Sequence, residues 1–315
     1  MSMKRIIVTG ATSMIGVATI DAAIKRGVEV YAILRENTTR INRIPKSPLV
    51  RIVFGSLETI SDINNLPDEA DVFYHFAWIG TNKLERDEPK IQEKNINYTL
   101  KAVDLARKTK CRRFVFAGSQ AEYGRVDGII SDDTRYNPEI SYGIAKLAAG
   151  KLSEKECKKH GIDFVWGRIF SVYGPHDNDN TMLDYALKCF CTGKVAQFSA
   201  SKQKWNYLYE SDAGEMFVRM GNEDVPTGTY LIANDESKTL YEYIQIVMGI
   251  FGNNAKAVFS SKSDIPVYGL EVDNKATLEL LRFKPKVPFK EGIKKMIEGR
   301  VSENTDRNDT HNRSF

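Results

Sequence analysis

Short apolar runs alternate with amphipathic stretches through the first half of the chain, and this alternation limits the possible folds more than any other feature. The runs are nearly continuous in apolar residues, as strands buried on both faces of a parallel sheet are. They lie at Ile6–Thr9, Val28–Leu34, Val50–Phe54, Asp71–Ala77, Arg113–Ala117 and Asp163–Arg168, and the longest helical patterns lie at Ile91–Thr109 and Tyr142–His160. Strands that alternate with helices form right-handed βαβ units. We therefore predict an α/β fold with a doubly wound parallel sheet of the Rossmann type.

The regular alternation ends near Gly174-Pro175. Helical patterns at Met182–Cys191 and Ser211–Met220 follow, separated by short strand-like pieces and more turns. We predict a first domain over residues 1–175 and a smaller C-terminal lobe over residues 176–299 that binds the substrate, with chain crossovers between the two. Residues 300–315 have almost no apolar content, which predicts a disordered tail.

Composition and charge exclude several classes of function. The 315 residues carry a formal net charge of +4 and contain no basic stripe with interleaved aromatic residues, so a nucleic-acid partner is not predicted. An apolar run of about 18 residues, which a membrane-spanning helix needs, is missing. The four cysteines lack the spacing of a zinc site. We therefore predict no metal, four reduced thiols and a cytoplasmic location.

The segment TGATSMIG, residues 9–16, connects the first apolar run to the first helical pattern. Small residues are needed at such a turn when the backbone approaches a pyrophosphate, whose charge is held by amides at a helix N-terminus. Gly10 would make the turn, and Gly16 would let the helix pack close to the strand. We predict that a dinucleotide binds to this loop. Its predicted contacts are Gly10, Thr12, Ser13, Met14, Ile15 and Gly16.

The end of the second predicted strand bears on which dinucleotide binds. Proteins that bind NAD usually place an Asp or Glu there to bond the ribose hydroxyls. Here the run ends in Arg35, although Glu36 follows it. A guanidinium matches a ribose phosphate in charge and in geometry. We therefore favour NADP(H), and NAD(H) stays possible because Arg35 can equally be an ordinary surface arginine.

Tyr142 and Lys146 stand four residues apart in the predicted helix Tyr142–His160. Residues at this spacing share one face of a helix. A cation near a phenol favours the phenolate, which lets a tyrosine transfer a proton near neutral pH. Ser119 follows the predicted strand Arg113–Ala117, at the carboxyl end where parallel sheets bind their ligands. We predict that Ser119, Tyr142 and Lys146 form one catalytic group, in which Lys146 also holds the ribose of the cofactor.

Six short motifs follow one another along the chain. They are TGATSMIG at 9–16, DVFYHFAW at 71–78, Asn95 ahead of a long helix, FAGSQAEYG at 116–124, SYGIAK at 141–146 and GRIFSVYGP at 167–175. In this order they resemble the extended short-chain dehydrogenase/reductase family, within its nucleotide-sugar epimerase/dehydratase branch, over roughly residues 4–300.

The resemblance implies a role for each matching residue. Ser119 is expected to polarise the substrate hydroxyl or carbonyl, Tyr142 to act as the acid/base, and Lys146 to bind ribose and lower the pKa of the tyrosine. Substrate contacts are expected from Gln120 and Arg168, with a structural role at the strand end as the alternative for Arg168. Further cofactor contacts are expected from Ser56, Leu57, Phe76, Ala77 and Asn95.

Two departures from the family pattern concern the cofactor, and one concerns the reaction. Ser13 replaces the middle glycine of the phosphate loop, and Ser56 replaces an aspartate often seen after the third strand. Gln120 and Ala121 stand where the dehydratases have an Asp-Glu pair. Without that acid and base, 4,6-dehydration is not predicted.

A fourth departure concerns the substrate. The residues Trp205-Asn206-Tyr207 stand where relatives have an arginine that binds the nucleotide diphosphate, and Lys204 is the nearest cation. A lysine can pair with phosphate and an aromatic ring can stack on a base. We therefore predict substrate contacts from Lys204 and Trp205. The alternative is that Trp205, Tyr207 and Tyr209 alternate along a strand and pack as core.

These predictions favour a reductase that transfers hydride from NADPH to a 4-keto sugar nucleotide. One alternative is a nucleotide-sugar 4-epimerase with tightly bound NAD. A second is an NADP-sensing binding protein without turnover, against which the intact catalytic group argues. The expected partner is a small sugar nucleotide. The resemblance also allows a homodimer through helices such as Ile91–Thr109 and Tyr142–His160.

Overall fold

The structure, a computed structural model, describes residues 3–177, 181–260 and 268–299. Its strands are β1 (Arg5–Thr9), β2 (Glu29–Leu34), β3 (Val50–Phe54), β4 (Val72–His75), β5 (Arg113–Ser119), β6 (Ile129–Ile130), β7 (Asp163–Ile169), β8 (Ser171–Tyr173), β9 (Val195–Phe198), β10 (Lys204–Trp205), β11 (Tyr207–Tyr209), β12 (Gly228–Ile232), β13 (Lys238–Thr239), β14 (Lys256–Phe259) and β15 (Glu271–Val272). Its helices are α1 (Met14–Ile24), α2 (Pro89–Lys108), α3 (Ser141–Lys159), α4 (Met182–Cys191), α5 (Glu210–Met220), α6 (Leu240–Phe251) and α7 (Lys275–Leu280), and a further helical run covers residues 289–299.

Seven parallel strands form the central sheet, in the order β3-β2-β1-β4-β5-β7-β12. The predicted α/β fold with a Rossmann-type sheet is therefore confirmed. The strand order reverses at β1, since the chain adds β2 and β3 on one side and β4, β5 and β7 on the other. In such a sheet, ligands bind in the crevice at the carboxyl ends of the strands on either side of the reversal.

Helices cover both faces of this sheet, and each face has its own core. Because side chains alternate along a strand, Ile6 and Val8 face one core while Ile7 faces the other. The first core includes Ile20 of α1 and Phe217 of α5. The second core includes residues of α2 and α3. A third core lies in the C-terminal part and joins α4, α6 and the run at 289–299.

The chain crosses from the C-terminal part back to the central sheet after β11. Helix α5 starts directly after β11 and packs against α1, and β12 then pairs with β7 at the edge of the sheet. The approach of the two helices requires Gly214, because a Cβ there would lie 2.3 Å from the backbone of Ala18. The division into domains near residue 175 therefore stays a proposal with a crossover at α5 and β12. The tail predicted at 300–315 lies outside the described residues.

Candidate active site

The loop between β1 and α1 is built around two glycines that leave no room for a side chain. Gly10 has a φ of +66°, and a Cβ there would lie 2.6 Å from the amide nitrogen of Ala77. At Gly16, a Cβ would lie 2.4 Å from the carbonyl oxygen of Gly10. The loop is therefore pressed against the chain that follows β4, which brings Phe76 and Ala77 beside it. These contacts explain why both positions need glycine.

The conformation and hydrogen bond of Ser13 explain why a serine can stand here in place of the glycine of the family pattern. It has an extended backbone, with φ −75° and ψ 159°, and its Oγ accepts a hydrogen bond from the Gly16 amide at 3.1 Å. A residue in this conformation does not need to be glycine, and its hydroxyl caps helix α1. The amides of Met14 and Ile15 begin the first turn, where a helix leaves its donors without intrahelical acceptors. With Thr12 in the same turn, this loop fits an anionic group such as a pyrophosphate.

A cavity of about 740 Å³ lies at the carboxyl ends of β2 and β3. Two of the residues predicted to contact the cofactor, Arg35 and Ser56, line it together with Glu36 and Asn37. The cavity is at the edge of the sheet where the phosphate loop also lies. Its position and size fit the adenosine half of a dinucleotide.

Asn95 was expected ahead of a long helix but lies within α2, and its contact with the cofactor stays a prediction. It is buried in α2, where its Oδ1 accepts the amide of Ile79 at 2.9 Å and its Nδ2 donates to the Ile79 carbonyl at 3.1 Å. Nearby, Gln92 accepts from the indole of Trp78 at 2.9 Å and donates to the Gly80 carbonyl at 2.7 Å. The side-chain amides of Gln92 and Asn95 therefore hold the segment that follows β4 in place. This segment is predicted to line the part of the site that binds the nicotinamide.

The structure brings together the three residues of the predicted catalytic group. Ser119 is the last residue of β5, and Tyr142 and Lys146 lie in the first turns of α3. The Lys146 Nζ donates to the Ala117 carbonyl at 2.7 Å and lies 3.8 Å from the centre of a Trp78 ring. The Ser119 side chain interacts with the Tyr142 phenol. A proton donor, a hydroxyl and a cation therefore share one end of the sheet.

Burial shifts the pKa values of two members of the group. Burial raises the pKa of Tyr142, and the opposing effects of Arg86 and Ser119 do not cancel it. Burial also lowers the pKa of Lys146 to about 7, which Glu122 opposes and Arg86 reinforces. The Lys146 Nζ is 5.8 Å from the centre of the tyrosine ring, and its expected lowering of the Tyr142 pKa stays a prediction.

A buried ion pair beneath Ser119 was missed in the sequence. Glu122 is fully buried, and its Oε1 accepts the Ser119 amide at 2.8 Å while its Oε2 accepts the Arg168 Nε at 2.5 Å. The Ala121 amide donates in turn to the Ser119 Oγ at 3.2 Å. Burial raises the pKa of Glu122, which Arg168 opposes. The pattern Ser-x-x-Glu at residues 119–122 is that of a capping box, and it could have predicted the contact between Glu122 and Ser119.

Arg168 is thus engaged by the protein itself. Its side chain is 1% exposed, pairs with Glu122, and lies 4.3 Å from the ring of Tyr136 and 4.4 Å from that of Trp166. The ion pair supports the structural role, whereas the Arg168 Nη2 is buried without a hydrogen-bond partner among the described residues, so substrate binding stays a prediction. Gln120 lies one residue after Ser119 in a 3₁₀ turn and is half-buried, so a contact with the substrate stays a prediction.

The residues predicted in the C-terminal part lie in strand β10. The Lys204 Nζ pairs with Glu271 at 2.7 Å and lines a second cavity, of about 690 Å³, together with Arg125, Lys202 and Tyr268. Trp205 is half-buried, donates from its indole to the Ser171 hydroxyl at 2.7 Å and packs against two cores. Tyr207 and Tyr209 are buried in the core, which agrees with the alternative that these aromatic residues pack as core.

Searches against known proteins assign the fold to a family. A sequence model of the NAD-dependent epimerase/dehydratase family matches residues 6–233. The chain belongs to this family. That confirms the resemblance noted in the sequence and identifies the chain as an enzyme. Among the described residues, the helices are all too short or too polar to cross a bilayer.

Several relatives of this epimerase/dehydratase family member are similar over most of their length. The uncharacterised UDP-glucose epimerase YtcB of Bacillus subtilis is 24% identical over 237 residues, which is 74% of this chain and 75% of that protein. A UDP-N-acetylglucosamine 4-epimerase from Methanobrevibacter ruminantium, solved with UDP-N-acetylmuramic acid, has a TM-score of 0.84 at 19% identity and covers 96% of this chain and 100% of its own. A UDP-glucuronic acid 4-epimerase from Bacillus cereus, solved with NAD, has a TM-score of 0.79 at 21% identity and covers 94% and 96%. At these identities the two structures show the shared fold.

Proposed function

We propose that this chain transfers hydride between a nicotinamide dinucleotide and the C4 position of a nucleotide-activated sugar, and that it works as an NADPH-dependent reductase of a 4-keto group. The observation that carries the proposal is the convergence of Ser119, Tyr142 and Lys146 at the carboxyl end of β5, beside the phosphate loop. When bound, NADPH supplies the hydride. With that hydride and a proton from the chain, the sugar carbonyl would become a hydroxyl.

The residues of the chain supply the remaining steps. The Ser119 hydroxyl hydrogen-bonds the 4-keto oxygen, which holds the carbonyl beside Tyr142. The phenol of Tyr142 donates the proton that the oxygen needs as hydride arrives at C4. Lys146 would hold the ribose of the cofactor. Solvent then returns the proton to Tyr142.

The cofactor preference for NADP(H) is supported by the place of Arg35 in the cavity beyond β2. Replacement of Arg35 by Asp is expected to weaken NADPH binding by roughly 10- to 150-fold, because charge-assisted hydrogen bonds contribute about 1.5–3 kcal/mol. NADH binding should change little. Fluorescence titration of both reduced cofactors measures the difference. Arg40→Asp is the matched control, since Arg40 is exposed nearby and is not among the residues that line the cavity. Equal losses for both cofactors in Arg35→Asp would contradict the preference.

The cavity beside β10 is the proposed site of the nucleotide diphosphate. Arg125, Lys202 and Lys204 contribute positive charge to it, partly offset by Asp127 and Glu271. A diphosphate would compete with Glu271 for the Lys204 ammonium, since both are anions. This cavity therefore supports a substrate with a phosphate group, even though Trp205 stands where relatives have an arginine.

Lys204→Ala is expected to raise the apparent KM for a sugar nucleotide several-fold and to leave the melting temperature unchanged, because exposed ion pairs contribute little stability. Lys275→Ala is the control, since Lys275 also lies near an acid, Asp273, and is not among the cavity residues. Trp205→Ala should instead lower stability by about 3 kcal/mol, since it removes a packed aromatic side chain. Thermal melts and KM measurements on the three variants separate the roles. An unchanged KM in Lys204→Ala would point to a generic carbonyl substrate.

A nucleotide-sugar 4-epimerase with tightly bound NAD is the second candidate, because the relatives above carry epimerase names and one was solved with NAD. The deciding experiment is to identify the dinucleotide that co-purifies with the chain and to measure oxidation of added NADPH by a 4-keto sugar nucleotide. Stoichiometric turnover of NADPH supports the reductase. Retained NAD with interconversion of two sugar nucleotides supports the epimerase. If neither reaction occurs, the remaining candidate is the NADP-sensing binding protein without turnover.

Two further features accompany this proposal. We place the chain in the cytoplasm, since its four cysteines, Cys111, Cys157, Cys189 and Cys191, are all unpaired. We also propose a homodimer that pairs the outer faces of α2 and α3, where Ile144 and Leu152 are exposed. Light scattering of the purified chain tests the dimer.

A further inference from the structure

We propose that Arg86, in the segment between β4 and α2, is a positioning residue that stabilises the ionised form of Tyr142. The sequence motif assigns this task to Lys146. This proposal rests on the proposed function, because Tyr142 is the acid/base of that reaction. Its first test is a titration of Tyr142 itself and does not require turnover.

The distance between the two side chains carries the proposal. The Arg86 Cζ lies 4.3 Å from the centre of the Tyr142 ring, whereas the Lys146 Nζ lies 5.8 Å from it. A guanidinium over an aromatic face is attracted to the negative charge of the ring. Ionisation of the phenol spreads further negative charge over that ring, so the same contact is stronger for the phenolate than for the phenol.

The backbone fixes Arg86 relative to Tyr142. The Tyr142 amide donates to the Arg86 carbonyl at 3.1 Å. The next residue, Asp87, accepts the Ser141 amide at 2.8 Å and the Ser141 hydroxyl at 2.9 Å. Two consecutive residues of the segment thus bond the first turn of α3. These bonds hold the backbone of Arg86 beside the first turn of α3, from where its side chain reaches the Tyr142 ring.

The guanidinium has no acceptor of its own among the described residues. Its Nε is shielded from solvent and makes no hydrogen bond, and no carboxylate of the described chain pairs with it. Buried donors without a partner are uncommon in proteins and call for an explanation. The side chain as a whole is half-buried, so water reaches the rest of the guanidinium, and the Tyr142 ring is the aromatic group against which it lies.

The other charged groups around Tyr142 do not supply this charge as well. On α3, the Lys146 Nζ is held by the Ala117 carbonyl and the Trp78 ring, and it lies farther from the Tyr142 ring than the Arg86 guanidinium does. From the end of β5, Ser119 favours the ionised phenol, while the negative charge of Glu122 raises its pKa. Arginine remains charged at any working pH. Of these two cations, Arg86 is therefore the one better placed to stabilise the phenolate.

The sign of the expected effect follows from these contacts. Loss of the Arg86 charge should raise the pKa of Tyr142, because the phenolate loses its nearest cation. The expected shift is about one pH unit for Arg86→Gln and less for Arg86→Lys, which keeps the charge and loses the flat contact with the ring. In the pH profile of turnover, the limb set by Tyr142 moves to higher pH by the same amount, whether the tyrosine acts as acid or as base.

The test is the titration of tyrosine labelled with ¹³C at Cζ, in the full chain loaded with NADP⁺ and followed by NMR. The signal missing from Tyr142→Phe identifies Tyr142. Lys83→Gln is the control, since it removes an exposed positive charge from the same segment and should leave the titration in place. An upward shift in Arg86→Gln but not in Lys83→Gln supports the proposal.

Three results would overturn it. The first is an unchanged Tyr142 titration in Arg86→Gln, or in Arg86→Lys with wild-type folding if Arg86→Gln does not fold. The second is an upward shift of the same size in Lys83→Gln, which would make the effect one of net charge and not of the contact between Arg86 and the ring. The third is a raised KM confined to sugar nucleotides that carry a carboxylate, with no titration shift, which would make Arg86 a substrate-binding residue. Absence of all turnover would count against the proposed function and would leave the titration readable.

Discussion

Tyr142→Phe is expected to reduce turnover by roughly 100- to 10,000-fold, the usual contribution of a positioned proton donor. The ring of Tyr142 packs edge-on against Trp78 and lies beneath the Arg86 guanidinium. Phenylalanine keeps both contacts and removes only the hydroxyl. The variant should therefore fold and bind the cofactor as the wild type does, while the substrate oxygen receives no proton from residue 142.

The measurement is kcat with NADPH and a 4-keto sugar nucleotide, together with cofactor titration and the melting temperature. Tyr98→Phe, a half-buried tyrosine on α2, is the matched control for loss of a hydroxyl. A near-wild-type rate in Tyr142→Phe would remove the acid/base role from Tyr142. A large loss of cofactor binding in the same variant would show that the hydroxyl serves structure or binding instead.

Glu122→Ala is expected to destabilise the fold by about 3–5 kcal/mol, because it leaves the buried Arg168 guanidinium without its counter-ion. The Ser119 amide loses its acceptor in the same step. The ion pair is inaccessible to solvent, since the two side chains are 0% and 1% exposed. An unpaired charge at this depth costs far more than the loss of a surface pair.

The double variant Glu122→Gln/Arg168→Met distinguishes the effect of removing both charges from the effect of leaving one charge unpaired. Replacing both charges by groups of similar size is often neutral or stabilising, so this variant should recover most of the stability that Glu122→Ala loses. Urea unfolding of the wild type, the single variants and the double variant measures the difference. Equal destabilisation in Glu122→Ala and in the double variant would contradict the explanation. Turnover in the double variant then shows whether Ser119 needs the carboxylate or only an acceptor for its amide.

The sequence predicted the parts of the site that local patterns determine. The glycines at 10 and 16 lie between a strand and a helix, so the turn and its position at the carboxyl end of β1 follow from residue types alone. The same holds for Ser119 at the end of β5. The spacing of Tyr142 and Lys146 placed them on one face of α3, and the structure confirms that placement.

Contacts between distant residues were beyond the reach of such patterns. Glu122 and Arg168 are 46 residues apart, and they meet because β5 and β7 pair with Gly118 opposite Arg168. Arg86 comes from an irregular segment whose path depends on the side chains of Gln92 and Asn95. The spacing of Tyr142 and Lys146 predicts their shared face but not their burial, and burial decides the direction of both pKa shifts.

The return of the chain to the central sheet after β11 has a consequence for biosynthesis. The core on one face of the sheet is completed by Met216 and Phe217 of α5 and by Tyr230 and Ile232 of β12, which the ribosome delivers long after β1 and α1. Until then, β7 has an unpaired edge and the first core lacks one wall. A nascent chain stopped after residue 175 should therefore remain open to chaperones and proteases. We expect the first core to be complete only once the polypeptide has been made through β12.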